Sequence, residues 1–197
     1  MMKAVKDVVA RSKIKGLIKR MEPEMRSFPG DLRTPKKILI CLPTSLRELT
    51  LVKQFLPKVT TIFKNAQVSL LTNPEVKVHD IYPRRGFQIL TPTSDQLSWS
   101  GLPSSSYLKT LQEYKFDMVL DFNLQRSFFT SAVLLSFPRA IRVGQGNHLG
   151  QPYYNLEIKT RYLRDERNIY RSILDMLAKI IDPSDQTDEA PAMNSGA

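Results

Sequence analysis

The residues best placed to do chemistry stand in one short turn. Thr44, Ser45, Arg47 and Glu48 follow a run of apolar residues, Ile38 to Cys41, and precede a segment in which Leu46, Leu49, Val52, Phe55, Leu56 and Val59 recur at helical spacing. A continuous apolar run fits a parallel strand buried on both faces, and the repeat after it fits a helix returning over the sheet. Ligands of open α/β sheets sit at the carboxyl ends of strands, so the turn from Thr44 to Glu48 is the first place to look for function. Ser45 and Glu48 also have the spacing of a capping box, which needs no ligand. Arg47, Arg126 and Arg142 follow or belong to predicted strands, and guanidinium groups at such an edge suit phosphate or carboxylate on an acidic ligand.

The elements that must hold this edge can be read along the chain. Further strands are predicted at Val68–Leu71, Phe87–Leu90, Met118–Phe122 and Ile141–Val143, with helices at Ser104–Tyr114, Arg126–Leu135 and Arg164–Ile181. Strands alternating with helices at this spacing imply one α/β, Rossmann-like domain with a parallel sheet covered on both sides. The Ser-, Thr- and Pro-rich stretch from Thr91 to Pro103 reads as a surface loop. The expected divisions are a basic helix and linker over 1–35, the α/β domain over 36–163, a closing helix over 164–182 and a disordered tail over 183–197.

At 197 residues and 22.6 kDa the chain can bury one sizeable core. Its single cysteine, Cys41, falls inside the first strand and reads as a core thiol in a reduced compartment. Cytoplasmic placement is expected, at the inner face of the membrane if the protein is peripheral, since no apolar run approaches the ~20 residues of a membrane span and no secretory leader is apparent. No metal-ligand cluster appears and no cofactor is expected. Gly144, Gly146 and Gly150 follow a predicted strand, but their spacing departs from a dinucleotide fingerprint and Pro152-Tyr153-Tyr154 follows instead of a helix. His148 in that stretch has no evident partner.

The net charge of +10 is unevenly spread. Residues 1–37 hold 11 Lys and Arg against 4 Asp and Glu, while Asp182, Asp185, Asp188 and Glu189 make the tail acidic. In the N-terminal segment Ala10, Ile14, Leu17, Ile18, Met21 and Met25 share one helical face, with Lys13, Lys15, Lys19 and Arg20 away from it and Val5, Val8 and Val9 pointing elsewhere. Such a helix lies on an anionic membrane, docks on a partner or packs on its own domain. Nucleic acid is not expected, because no aromatic residues interleave with the basic ones.

Three segments together resemble the N-terminal domain of the glycosyltransferase family 9 heptosyltransferases, which have a GT-B fold of two Rossmann-like domains. They are KKILICLPTSLRELTL, YKFDMVLDFNLQRSFFTSAVLLS and RDERNIYRSILDMLAKI, and the likeness spans Lys36 to Ile181 in order. It implies a glycosyl transfer from a nucleotide-sugar to a lipopolysaccharide-type glycan. Glu48 then occupies the place of the family's catalytic aspartate, the base that takes the acceptor proton, with Thr44, Ser45, Arg47, Asn123 and Arg126 holding an acidic or lipid-linked acceptor. Two departures stand beside the match. Arg47 replaces the family's turn glycine, and the turn Asp121-Phe122-Asn123-Leu124-Gln125-Arg126-Ser127 is one residue short and lacks its glycine. The chain is also expected to lack the second, donor-binding domain, which leaves three readings: an acceptor half completed by a separate donor-domain chain, a non-catalytic binding or scaffold protein on a membrane surface or protein partner, or a truncated gene product.

Overall fold

Side chains that alternate along β1 (Lys37–Cys41) divide the interior into two halves: Ile38 and Ile40 face one apolar cluster, and Leu39 and Cys41 the other. Period-two alternation with apolar residues on both sides is what a strand covered by helices above and below requires. The computed structural model describes residues 2–21, 28, 30–32, 35–73, 82, 86–146, 149–162 and 164–182. The remaining elements are α1 (Met2–Lys19), α2 (Leu46–Ile62), β2 (Gln67–Leu71), β3 (Gln88–Leu90), α3 (Ser105–Glu113), β4 (Met118–Asp121), α4 (Phe128–Ser136), β5 (Ile141–Gln145), β6 (Leu156–Ile158) and α5 (Glu166–Ile181). The strands form one all-parallel sheet in the order β3-β2-β1-β4-β5-β6. This is the single Rossmann-like α/β fold expected from the sequence.

One face of the sheet is covered by α2 and α5, which bury Leu49, Val52, Leu56 and Val59 against Ile169, Tyr170, Ile173, Leu174 and Leu177. Ser45 caps α2 by accepting the Glu48 amide at 3.2 Å, and Asp165 caps α5 by accepting the Asn168 amide at 3.1 Å. The other face is covered by α3 and α4. Residues Phe129 to Ser136 of α4 are buried all round, which a helix in a single outer layer cannot be. The extra cover is α1, whose Ala10 and Ile14 are buried on the same cluster, with Leu17, Ile18 and Met21 packed beside them. The basic helix thus spends its predicted apolar stripe on its own domain, and Met25 lies outside the described residues.

The strand boundaries match the apolar runs to within two residues, but β6 was not anticipated. It contains only Leu156 and Ile158 around Glu157, and its identity comes from pairing with β5 rather than from a local pattern. The stretch from Thr91 to Pro103 is a loop, yet an ordered one, with a 3-10 turn over Ser94–Gln96 and a bridge between Leu97 and Pro103. The tail after Asp182 and the Pro23 and Pro29 breaks lie outside the described residues.

Gly144 in β5 is required by packing. A Cβ there would stand 2.3 Å from two ring atoms of Tyr154. Gly144→Ala is therefore expected to displace the ring and lower the unfolding free energy by ~2–4 kcal/mol, read from the midpoint shift in urea. A change within ~0.5 kcal/mol would mean that the ring moves aside freely.

Candidate functional site

The sheet order reverses between β1 and β4, and in folds of this type that is where the ligand crevice opens. Cys41 and Asp121, the last residues of the two strands, are direct register partners. Beyond them the chain leaves β1 through the buried Leu42 and Pro43 to the exposed Thr44 and Ser45. It leaves β4 through the buried Phe122, Asn123 and Leu124 to the exposed Gln125 and Arg126.

Asp121 organises the floor of this crevice. It is 4% exposed, and its Oδ1 accepts from the Asn123 amide at 2.9 Å and from Asn123 Nδ2 at 2.8 Å. Its Oδ2 accepts from the Tyr154 hydroxyl at 2.7 Å, and Asn123 Nδ2 also reaches Thr130 Oγ1 at 3.2 Å. Burial, and then the charge of Asp121, push the Tyr154 hydroxyl far above the usual phenol range, so it remains protonated and donates. The same two causes raise the Cys41 thiol well above its ordinary value, which makes it an unreactive core group at neutral pH. Asn123, a predicted ligand-binding residue, thus has its amide turned inward. The pairing of Asp121 with Tyr154 was not anticipated from the sequence. Its only local signal is an acid closing the apolar run Met118–Leu120, with a glycine, Gly144, in the next strand that makes room for a ring.

Glu48 lies on the opposite face of the sheet. The Ser45 hydroxyl accepts its amide, as the capping-box spacing predicts, and its side chain sits in the seam between α2 and α5 near Glu166 and Tyr170. Burial raises its carboxyl above the usual carboxylate range. A hydrogen bond with Ser45 opposes that shift, the charge of Glu166 adds to it, and Arg47 opposes it again. Tyr170 closes the seam from beneath, donating its hydroxyl to the Phe122 carbonyl at 2.9 Å. Arg47 points across to α5, where its Nε lies 3.0 Å from Glu166 Oε2.

The three arginines expected at the carboxyl edge have separate fates. Arg142 is 5% exposed, and its guanidinium donates to the carbonyls of Tyr153, Phe137, Pro138 and Pro152 at 2.8 to 3.3 Å. The expectation that it grips an acidic ligand is therefore corrected: it is an internal brace, its donors spent on backbone. Arg126 is exposed and donates from Nη2 to the Tyr153 hydroxyl at 3.2 Å, with its guanidinium 5.3 Å from the Phe128 ring centre. Arg11 of α1 stands 5.9 Å from the same ring, so the N-terminal helix delivers a second guanidinium to the start of α4. Among the described residues neither Arg11 nor Arg126 has a carboxyl partner. Arg47 belongs to the α2–α5 face and Arg126 to the α1–α4 face, so they do not converge.

No group of three or more His, Cys, Asp and Glu suited to a metal ion occurs among the described residues, and His148 lies outside them. Nor is any described helix long and apolar enough to cross a membrane.

The fold has counterparts among solved structures. The chain is similar to the crystal structure of the glycosyl transferase family 9 from Veillonella parvula, at 18% identity and a TM-score of 0.55, over 76% of this chain and 43% of that one. It is also similar to the E. coli heptosyltransferase WaaC with ADP, at 12% identity and a TM-score of 0.52, over 78% of this chain and 50% of that one. The chain thus spans half or less of the length of these enzymes, and at such identities the likeness establishes a shared Rossmann-like fold. No curated protein matches it in sequence. Residues 6–178 match DUF6913, and the chain belongs to this family of unknown function.

Proposed function

We propose that this chain is a glycosyltransferase-like domain that binds an acidic saccharide, or the acidic head of a lipid-linked one, without catalysing transfer itself. The observation that carries this reading is the pair Arg11 and Arg126, two guanidinium groups around Phe128 with no carboxyl partner among the described residues. They stand beside a crevice whose buried polar groups, Asp121 and Asn123, are already satisfied by each other and by Tyr154 and Thr130. Aromatic contact holds such groups in place without neutralising them, which leaves their N–H donors for phosphate or carboxylate. Asp121 and Asn123, by contrast, are tied to Tyr154, Thr130 and each other, and Glu48 faces the α2–α5 seam.

A catalytic reading has one observation in its favour: Glu48 stands where the resemblance puts the family's base, and its carboxyl has a raised affinity for protons. A base must reach the acceptor hydroxyl, however, and Glu48 is a largely buried residue under the start of α5.

Calorimetric titration with a phosphorylated lipid A-core fragment, ADP and ADP-heptose separates the readings. Binding of the glycan alone is expected, with Arg11→Gln and Arg126→Gln each weakening it by about five- to tenfold. Tight nucleotide binding, or a glycan affinity indifferent to both arginines, would overturn the proposal.

Glu48→Gln is expected to leave glycan binding unchanged and to stabilise the fold in a pH-dependent way. Because the folded carboxyl holds its proton more tightly than the unfolded one, ionising Glu48 costs stability as pH rises through the ordinary carboxylate range to its folded value. The variant should therefore melt higher than the parent near about pH 8 and match it near about pH 3, where Glu48 is protonated in both states. A variant that binds nucleotide-sugar and glycan but has lost transfer would instead establish Glu48 as the base.

A further inference from the structure

The chain's only tryptophan, Trp99, is 59% exposed at the corner of a turn that the backbone holds closed. The Gly101 amide donates to the Ser98 carbonyl and the Ser98 amide to the Leu102 carbonyl, both at 2.8 Å, which puts Trp99 and Ser100 at the central positions of a β-turn. Gly101 then takes a φ of +79°, a conformation that favours glycine. Below the turn, Leu97 and Pro103 form an antiparallel bridge, the Ser104 amide donates to the Gln96 carbonyl at 2.8 Å, and Leu102 is buried in the core. A small anchored hairpin therefore presents the ring, and covering it costs little further ordering of the chain.

The surroundings of the ring decide what suits it. Its neighbours in the turn are Ser98, Ser100 and Gly101, and the Ser98 and Ser100 hydroxyls lie 2.9 Å apart. The other large apolar side chains exposed among the described residues stand on α1, α2 and α5, so Trp99 is a lone ring among hydroxyls rather than part of the broad apolar patch that a protein partner needs. Among the described residues its indole makes no hydrogen bond and no ring contact. A flat apolar face with one free donor at its rim matches a sugar ring, whose C–H faces are apolar and whose edge is hydroxylated. The turn follows β3 and so lies at the same carboxyl edge as Arg126, which follows β4. Leu97 and Leu102, on either side of the turn, pack in the same apolar cluster as Phe128, which puts Trp99 on the α1–α4 side of the sheet. Three strand spacings, about 14 Å, separate β3 from β4, the reach of a short oligosaccharide.

We propose that Trp99 is a stacking platform for a sugar ring of the glycan whose acidic group is held at Arg11 and Arg126. The indole face covers the apolar face of one ring, the N–H donates to a hydroxyl at its edge, and the guanidinium pair fixes the charged group farther along the saccharide. This subsite rests on the reading of the surface as saccharide-binding, and adds to it a contact that is indifferent to charge.

Because the chain has one tryptophan, its fluorescence reports this site alone. The test is a titration of the full chain with the phosphorylated lipid A-core fragment, and with the same oligosaccharide after removal of its phosphates, followed by emission and by acrylamide quenching of the indole. Both are expected to shift the emission to the blue and to protect the indole, the neutral one with lower affinity. In calorimetry Trp99→Ala should weaken binding of the neutral oligosaccharide about fivefold or more, and Trp99→Phe should be intermediate, since it keeps a smaller ring and loses the donor. The exposed ring carries little of the fold, so both variants should melt with the parent. Calorimetric binding of the phosphorylated fragment with an indole as accessible as in the free protein would overturn the platform and leave the guanidinium site standing. Neutral-sugar binding lost in Trp99→Ala, beside a phosphorylated fragment indifferent to both arginines, would do the reverse. Quenching by ADP with no response to either glycan would overturn both in favour of base stacking. Protection that grows with protein concentration alone would overturn the platform in favour of a contact between copies of the chain.

Discussion

A carboxyl group buried at the end of a parallel strand is the constraint around which the carboxyl edge of this protein is arranged. Asp121 is a buried acceptor, and leaving such a group unpaired costs several kcal/mol or more. Its donors come from two parts of the chain: Asn123 just after β4, through both its backbone amide and its side chain, and the Tyr154 hydroxyl, 33 residues away. Tyr154 reaches it only because β5 has a glycine at the point where the ring must pass. Arg142 then binds the carbonyls of Pro152 and Tyr153 and so holds the segment that presents the tyrosine. Asp121, Gly144, Arg142 and Tyr154 form a single device in which the loss of one member strands the others.

That device has a functional consequence. The switch point of a doubly wound sheet is a crevice only if the side chains around it leave space and unspent polar groups. Here Asn123 bonds inward and Tyr154 closes the floor, while Tyr170 and Glu48 fill the seam on the opposite face. The uncommitted polar chemistry among the described residues has moved outward, to Arg11 and Arg126 on one face and to Arg164 and Arg167 on the other. An edge of this kind keeps its free donors at the surface rather than inside the crevice.

Much of the fold was legible in the sequence because its signals are local. The strand Ile38–Cys41, the repeat from Leu46 to Val59 and the apolar side of α5 each announce themselves within a dozen residues, and the Ser45 cap follows from spacing alone. β6 was not legible, since three residues acquire strand geometry only from a neighbour. Within the candidate site, the position of the turn could be read but the fate of its side chains could not. Arg126 and Arg142 look alike in sequence, each near the end of a predicted strand. One is exposed on aromatic rings, and the other is surrounded by carbonyls contributed by residues on both sides of β5. That difference is set by strand alternation and by loops that return from elsewhere, neither of which composition records.

The N-terminal helix illustrates the same point in the opposite direction. Its apolar stripe alone fits a membrane, a partner or its own domain equally well, because hydrophobic burial is non-directional. What decides between them is α4, a mostly apolar helix buried on every side from Phe129 to Ser136, which therefore needs a cover on its outer face. Once α1 supplies that cover, Arg11 is carried to Phe128 as a consequence of packing, without any requirement that a ligand recruit it. Two like charges gathered around one ring repel each other, and an anion lying between or beside them would relieve that cost, which is the physical basis of the acidic-ligand binding proposed for this surface.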